Sequence, residues 1–191
     1  DRAMKEKPAD AKLDDFSGSD LSTIRLFQEC IALCNRTVFE PGPENQEKPI
    51  LDRECIGDAS ETALLKYVET RPDIASVDTL RDMYPKIFEI PFNSKNKWQL
   101  SIHKNMKTNG PRILFIKGAP ERVMAKCQKI RVDGKDLDLD EEWKDNFQQA
   151  YEYLASKGER VLGFGYCTLD PEKFPESMDK EFNEANIPTE D

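Results

Sequence analysis

Between Lys86 and Ile116 the chain offers three strand-like runs separated only by short polar turns. Neighbouring strands joined this tightly read as antiparallel pairs. Lys86 to Phe92 and Lys97 to Lys104 flank the polar turn Asn93 to Asn96, and Asn109-Gly110-Pro111 turns into a third run, Arg112 to Ile116. In the second run Trp98, Leu100 and Ile102 alternate with Gln99, Ser101 and His103, the period of a strand with one buried face, so His103 is expected to be exposed. The third run carries the apolar Ile113-Leu114-Phe115-Ile116 and leads into Lys117-Gly118-Ala119-Pro120-Glu121-Arg122. Pro120 suits an early helical position, where its missing N–H costs little, and a helix is predicted from Ala119 to Cys127. A glycine between strand and helix lets a ligand approach the backbone, and the helix start beside Lys117 favours an anion.

The rest of the chain supplies helices. Leu21, Ile24, Phe27, Ile31, Cys34 and Val38 fall near a 3.6-residue period and predict an amphipathic helix from Ser19 or Asp20. Glu40 to Pro49, with two prolines and a glycine, reads as a loop. Asp58 and Glu61, three apart, form the pattern of an N-cap and capping box opening a second helix, and Ser76 caps a third that ends before Pro85. Lys129 to Val132 with the Asp133-Gly134 turn suggests a short strand. Trp143, Phe147, Ala150, Tyr151 and Leu154 mark a long helix terminated by Gly158, after which Arg160 to Leu169 returns as a strand. The last stretch, from Asp170, holds Pro171, Pro175 and Pro188 and is expected to be irregular. Together these elements predict an α+β fold, a twisted and mainly antiparallel sheet flanked by helical hairpins. Residues 1–18, rich in Lys, Asp, Ala and Pro, read as a flexible leader or linker, and 19–191 as a single domain.

Several function classes are disfavoured. A net charge of −9 over 191 residues argues against nucleic acid or an anionic membrane as a general partner. No apolar stretch approaches the roughly 20 residues that span a bilayer. Five cysteines, without a disulfide-framework spacing, suit a reducing compartment, and Cys30 and Cys34 on one helix face read as small buried hydrophobes. There is no P-loop, and Gly163-Phe164-Gly165 lacks the third glycine of a dinucleotide fingerprint. With His103 the one histidine, neither a histidine-rich metal site nor a serine triad is expected, and Glu141-Glu142 reads as a helix start favoured by the helix dipole. No self-contained catalytic apparatus is visible, so a binding module fits best. Adenine recognition needs an aromatic slot, polar groups for the base edge and cations for phosphates. Phe92 at a strand end and Lys97 across the same turn are candidates for the first and last of these.

Four blocks occur in a particular order: Asp58-Ala59-Ser60-Glu61-Thr62-Ala63-Leu64; Pro91-Phe92-Asn93-Ser94 with Lys97 to Lys104; Lys117 to Arg122; and Gly158-Glu159-Arg160-Val161-Leu162-Gly163-Phe164. With Leu33-Cys34-Asn35-Arg36 and Leu139-Asp140-Glu141-Glu142, they make the chain, from about Leu21 to Pro188, resemble the nucleotide-binding domain of P-type cation-pumping ATPases, within them the sodium/potassium and proton/potassium pump alpha subunits. The resemblance implies a twisted antiparallel sheet beside helical hairpins. It implies that Phe92 stacks on adenine, that Glu61 accepts from the adenine amino group, and that Gln99 and Ser94 line the slot. Lys97 takes a pocket role, Lys117 and Gly118 close the slot, and Arg160 reaches the phosphates; Asp58, already an N-cap, is the weakest candidate for a ligand contact. Glu121 and Arg122 are as readily a structural ion pair as ligand contacts. Gly165 stands where those pumps carry a cysteine, and Trp98 where they carry tyrosine or phenylalanine.

In the family, ATP phosphorylates an aspartate in a separate phosphorylation domain, and the Asp-Lys-Thr-Gly-Thr motif around that aspartate is absent from this sequence. The resemblance therefore implies the ATP-binding part of an enzyme, with no catalytic residue in this chain, no metal site here, and magnesium held mainly outside it. Its implied partners are the phosphorylation and actuator domains and a beta subunit that this domain does not contact; the setting implied is the cytoplasmic side of a plasma-membrane pump. A monomer is expected. Lys117→Glu is expected to weaken triphosphate binding and leave the fold alone. Two other readings stand beside this one: a proton/potassium pump domain, and an acidic protein-interaction domain.

Overall fold

The computed structural model describes residues 18–71, 73–183 and 185–187. The leader expected over residues 1–18 lies outside them except for Gly18, which already opens the first helix, α1 (Gly18–Leu33). Next come β1 (Val38–Phe39), α2 (Pro43–Gln46), a 3-10 turn (Ile50–Asp52), β2 (Cys55–Ile56), α3 (Ala59–Glu69) and α4 (Val77–Met83). The sheet elements β3 (Lys86–Ile90), β4 (Trp98–Asn105) and β5 (Gly110–Gly118) precede α5 (Pro120–Met124), the hairpin β6 (Lys129–Val132) and β7 (Lys135–Asp138), α6 (Glu141–Ser156) and β8 (Gly163–Thr168).

The main sheet has the order β3-β4-β5-β8, with every neighbouring pair antiparallel. Paired residues share a face, so the register sorts the side chains into two sets. Gln99 pairs with Lys117 and Lys117 with Phe164; Ser101 pairs with Phe115 and Phe115 with Tyr166. That face is covered by α1, α3 and α4, in a core built on Cys30, Ile31, Leu33, Leu65, Val68, Leu80 and Phe115. The opposite face presents Ile90, Leu100, Ile102, Leu114 and Ile116 to Val123 of α5 and to Phe182 and Ile187 from the C-terminal segment. The architecture is the α+β fold with a mainly antiparallel sheet that the sequence implies.

Burial on both faces overturns one expectation. β4 has no exposed side, because helices cover the Gln99, Ser101 and His103 face as fully as the tail covers the other. His103 is 1% exposed, with Nδ1 donating to the Tyr84 carbonyl at 2.8 Å and Nε2 accepting from the Ser101 hydroxyl at 2.9 Å. Alternation of polar and apolar residues thus marks a strand between two layers here, with the polar set satisfied internally.

Other departures have local causes. Val38 does not extend the first helix: the chain leaves α1 at Leu33, Asn35 Oδ1 accepts from Thr37 N, and Val38 pairs with Ile56. The final helical turn is buried all round, Cys30 to Leu33, since it is wedged between the sheet and α3 and α4. Cys30 and Cys34 are buried small residues as expected, and burial pushes both thiols up. The predicted loop Glu40 to Pro49 contains α2, with Pro43 in its first turn. On α6 the N-cap is Asp140, which accepts from Trp143 N, and Gly158 ends the helix region at φ +77. Trp143 is buried and Phe147 stacks on Tyr151, but Leu154, expected on the apolar stripe, is exposed.

Among its described residues the C-terminal stretch is irregular apart from a 3-10 turn (Glu176–Lys180), yet it forms part of the core. Arg112 of β5 holds it there: Nε donates to Asp179 and Nη1 to the Phe174 carbonyl, while Lys104 Nζ reaches Asp179 at 2.8 Å.

Candidate nucleotide site

Because the sheet is antiparallel, the end of β3, the start of β4, the end of β5 and the start of β8 lie together at one edge. This one end carries the 91–97 turn with Phe92, Ser94 and Lys97, then Gln99, Lys117 and Gly118, and the approach to β8 with Arg160. Helix α3 delivers Glu61 to the same place from its first turn.

The members divide into a buried set and an exposed set. Glu61, Gln99 and Lys117 are respectively 6%, 8% and 5% exposed. Glu61 Oε1 accepts from Lys117 Nζ at 2.7 Å and from Gln99 Nε2 at 2.8 Å, and Oε2 accepts from Arg36 N at 3.2 Å. Gln99 Nε2 also donates to the Cys34 carbonyl, and Asn35 Nδ2 to the Glu61 carbonyl. Burial alone would raise the Glu61 carboxyl, but the Lys117 ammonium, Gln99 and the Arg36 N–H together hold it below the usual carboxylate range.

This geometry corrects the capping box. Asp58 is the N-cap, its Oδ1 accepting from Ser60 N and Glu61 N, but the Glu61 side chain does not return the bond. It turns inward to Lys117, since an ammonium at 2.7 Å is a stronger donor than an exposed amide. The expectation that Lys117→Glu spares the fold does not survive either: it would set two carboxylates against each other in a buried site.

The exposed set is open to solvent. Phe92 is 56% exposed. Its turn is tightly tied: Lys97 N donates to the Asn93 carbonyl, Asn96 N to Asn93 Oδ1, and Ala119 N to the Lys97 carbonyl. Lys97 itself adopts φ +60. At Gly118 an added Cβ would lie 2.4 Å from the Lys97 carbonyl oxygen and 2.6 Å from Trp98 Cα, so the backbone that approaches this glycine is that of β4. Ser94, Lys97, Asp58 and Arg160 are exposed, as are Glu121 and Arg122 at the start of α5. Among the described residues no cluster of His, Cys, Asp and Glu could hold a metal ion.

Sequence reasoning did not single out the partners that complete the Glu61 environment, namely the Arg36 amide, the Cys34 carbonyl and the Thr37 hydroxyl at 3.4 Å. Two of these are backbone groups, which leave no side-chain signature.

Residues 23–190, which span the sheet, its helical cover and this edge, match the family model for the P-type ATPase, cytoplasmic domain N. The chain belongs to that family. Among curated proteins it is 49% identical over 159 residues to "Sodium/potassium-transporting ATPase subunit alpha-2" of Gallus gallus, and 50% identical over 160 residues to "Sodium/potassium-transporting ATPase subunit alpha" of Tetronarce californica. These alignments cover 83% and 84% of the chain but 15% of each relative. No described helix is long and apolar enough to cross a membrane.

Proposed function

We propose that this chain is the ATP-binding domain of a sodium/potassium-transporting ATPase alpha subunit, in which it holds adenine and ribose and presents the γ-phosphate to an aspartate of a separate phosphorylation domain. The observation that carries the reading is an aromatic ring left more than half exposed at a sheet edge that also gathers Lys97, Arg160 and the Glu61–Gln99–Lys117 network. A ring costs free energy to leave in water, and base stacking recovers it. Lys97 and Arg160 supply the charge for the phosphates, and the guanidinium of Arg160 suits paired bonds to phosphate oxygens. Ser94 adds a hydroxyl to the rim, Asp58 stays a cap, and Gly118 keeps β4 and β5 in contact beneath the slot.

The names and identities of the relatives support the sodium/potassium assignment and, with it, ATP and magnesium as cofactors of the whole pump, the actuator and phosphorylation domains as neighbours, and a beta subunit as a partner beyond this domain. Catalysis then rests on positioning, with the charge stabilisation supplied elsewhere. The isolated chain is expected to bind ATP and to hydrolyse none.

The test is an ATP titration followed by backbone amide shifts. Phe92→Ala is expected to lower affinity by about 1–3 kcal/mol, the worth of a base–aromatic stack, with unfolding unchanged because the ring is exposed. Unaltered affinity in a folded variant would remove Phe92 from the site.

A further inference from the structure

A cavity with a volume of about 340 Å³ lies in the angle between the end of α1, helix α4 and the outer pair of strands. Its lining includes Asn35, Arg36, Arg81, Lys86, Glu89 and His103. Three cations thus face one carboxylate, within a chain whose net charge is −9. Lys86 pairs with His103 across the sheet, four positions along β4 from Gln99, so this side of the cavity lies about 13 Å from Gln99 at the usual strand rise, while Asn35 and Arg36 on its other side also border Glu61.

We propose that this cavity is a binding site for a small oxyanion of the phosphate class, held by Arg81, Lys86 and Arg36. Glu89 shows how it would be held: its carboxylate bridges Arg36 Nε, at 3.1 Å, and Lys86 Nζ, as a tethered anion would. Among the lining residues that single charge leaves cations in excess. Among the described residues Arg81 hydrogen-bonds through Nη2, to the Asn35 and Thr37 carbonyls, which fixes the guanidinium and leaves Nη1 and Nε as further donors. Asp78, Glu61 and Glu69 act on Arg81 from outside the lining. Arg36 and Lys86 keep 61% and 34% of their side chains open to solvent, so an anion can reach them. The buried imidazole of His103 forms part of the wall, and burial first, then Lys86 and Arg81, keep it neutral. A preformed cluster of cations in a cleft concentrates anions that a lone surface lysine would not.

The test is a titration of the 191-residue chain with inorganic phosphate at pH 7, followed by NMR at the His103 ring, the Arg81 guanidinium and the amides of 35–37. Saturable shifts there are expected, reproduced by sulfate and not by sodium chloride at equal ionic strength. Glu89→Gln removes the competing carboxylate and is expected to tighten phosphate about 2–5-fold, while Lys86→Gln weakens it by a similar factor. A site that only supported the fold would give no gain of binding in Glu89→Gln. Shifts matched by sodium chloride, shifts confined to Lys97 and Arg160, or weaker binding in Glu89→Gln would overturn the proposal.

Discussion

Replacing Lys117 by methionine is expected to lower the unfolding free energy by about 3–5 kcal/mol, because it leaves a buried carboxylate with its cation removed. Methionine fills the volume of the lysine stem, so little of the loss comes from packing. Glu61→Gln in the same chain is expected to recover at least half of it, since a neutral amide still accepts from Gln99 and no longer needs a counter-charge. Urea unfolding of the two single variants and the double variant gives the coupling directly. Single costs below about 1 kcal/mol that simply add would show that water screens the pair. The carboxyl of Glu61 is held below its ordinary value in the folded chain, so its contribution is present above the unfolded carboxylate range. It is lost as pH falls through the folded value. The pair sits under the proposed nucleotide slot, so a binding defect in a Lys117 variant has meaning only beside its stability.

The second large effect concerns His103. Its folded pKa is lowered to about 4 from 6.5, chiefly by burial, against the opposing Tyr84 carbonyl. The unfolded chain therefore takes up the proton first as pH falls. Stability is complete above about pH 6.5, declines as pH drops below it, and levels off near pH 4, for a loss of roughly 3 kcal/mol from this group. Carboxylates add their own acid sensitivity, which a comparison with His103→Gln cancels. A glutamine can hydrogen-bond to Ser101 and Tyr84 without titrating. The difference in unfolding free energy between the two proteins is expected to shrink by that amount between pH 7 and pH 4. A difference independent of pH would mean that the ring is protonated, or open to water, in the fold.

Local signals that depend on backbone chemistry were legible in the sequence. Asp58 and Ser76 cap their helices, Pro120 opens one and Gly158 ends another, and the turns at 93–96 and 109–111 set the strand pairing. What was not legible depended on what lies above a surface. His103 alternates as an exposed residue does, and only the helical cover makes it core. Phe174, Phe182 and Ile187 are spaced with no period because an irregular segment carries them, so their role under the sheet left no pattern. At the candidate site the resemblance named the residues that the fold brings to one edge. It could not anticipate that Glu61 spends its oxygens on Lys117, Gln99 and a backbone amide, since that choice is decided by distances between elements far apart in sequence.

The ties within the 91–97 turn carry a kinetic consequence. Phe92 stands beside a turn fixed by the bond from Asn96 N to Asn93 Oδ1, the bond from Lys97 N to the Asn93 carbonyl and the bond from Ala119 N to the Lys97 carbonyl. A ring mounted this way loses little freedom on contact with a ligand, and arrival need not wait for a loop to order. The lifetime of the proposed ATP complex, and not its rate of formation, is then the quantity that the ring governs.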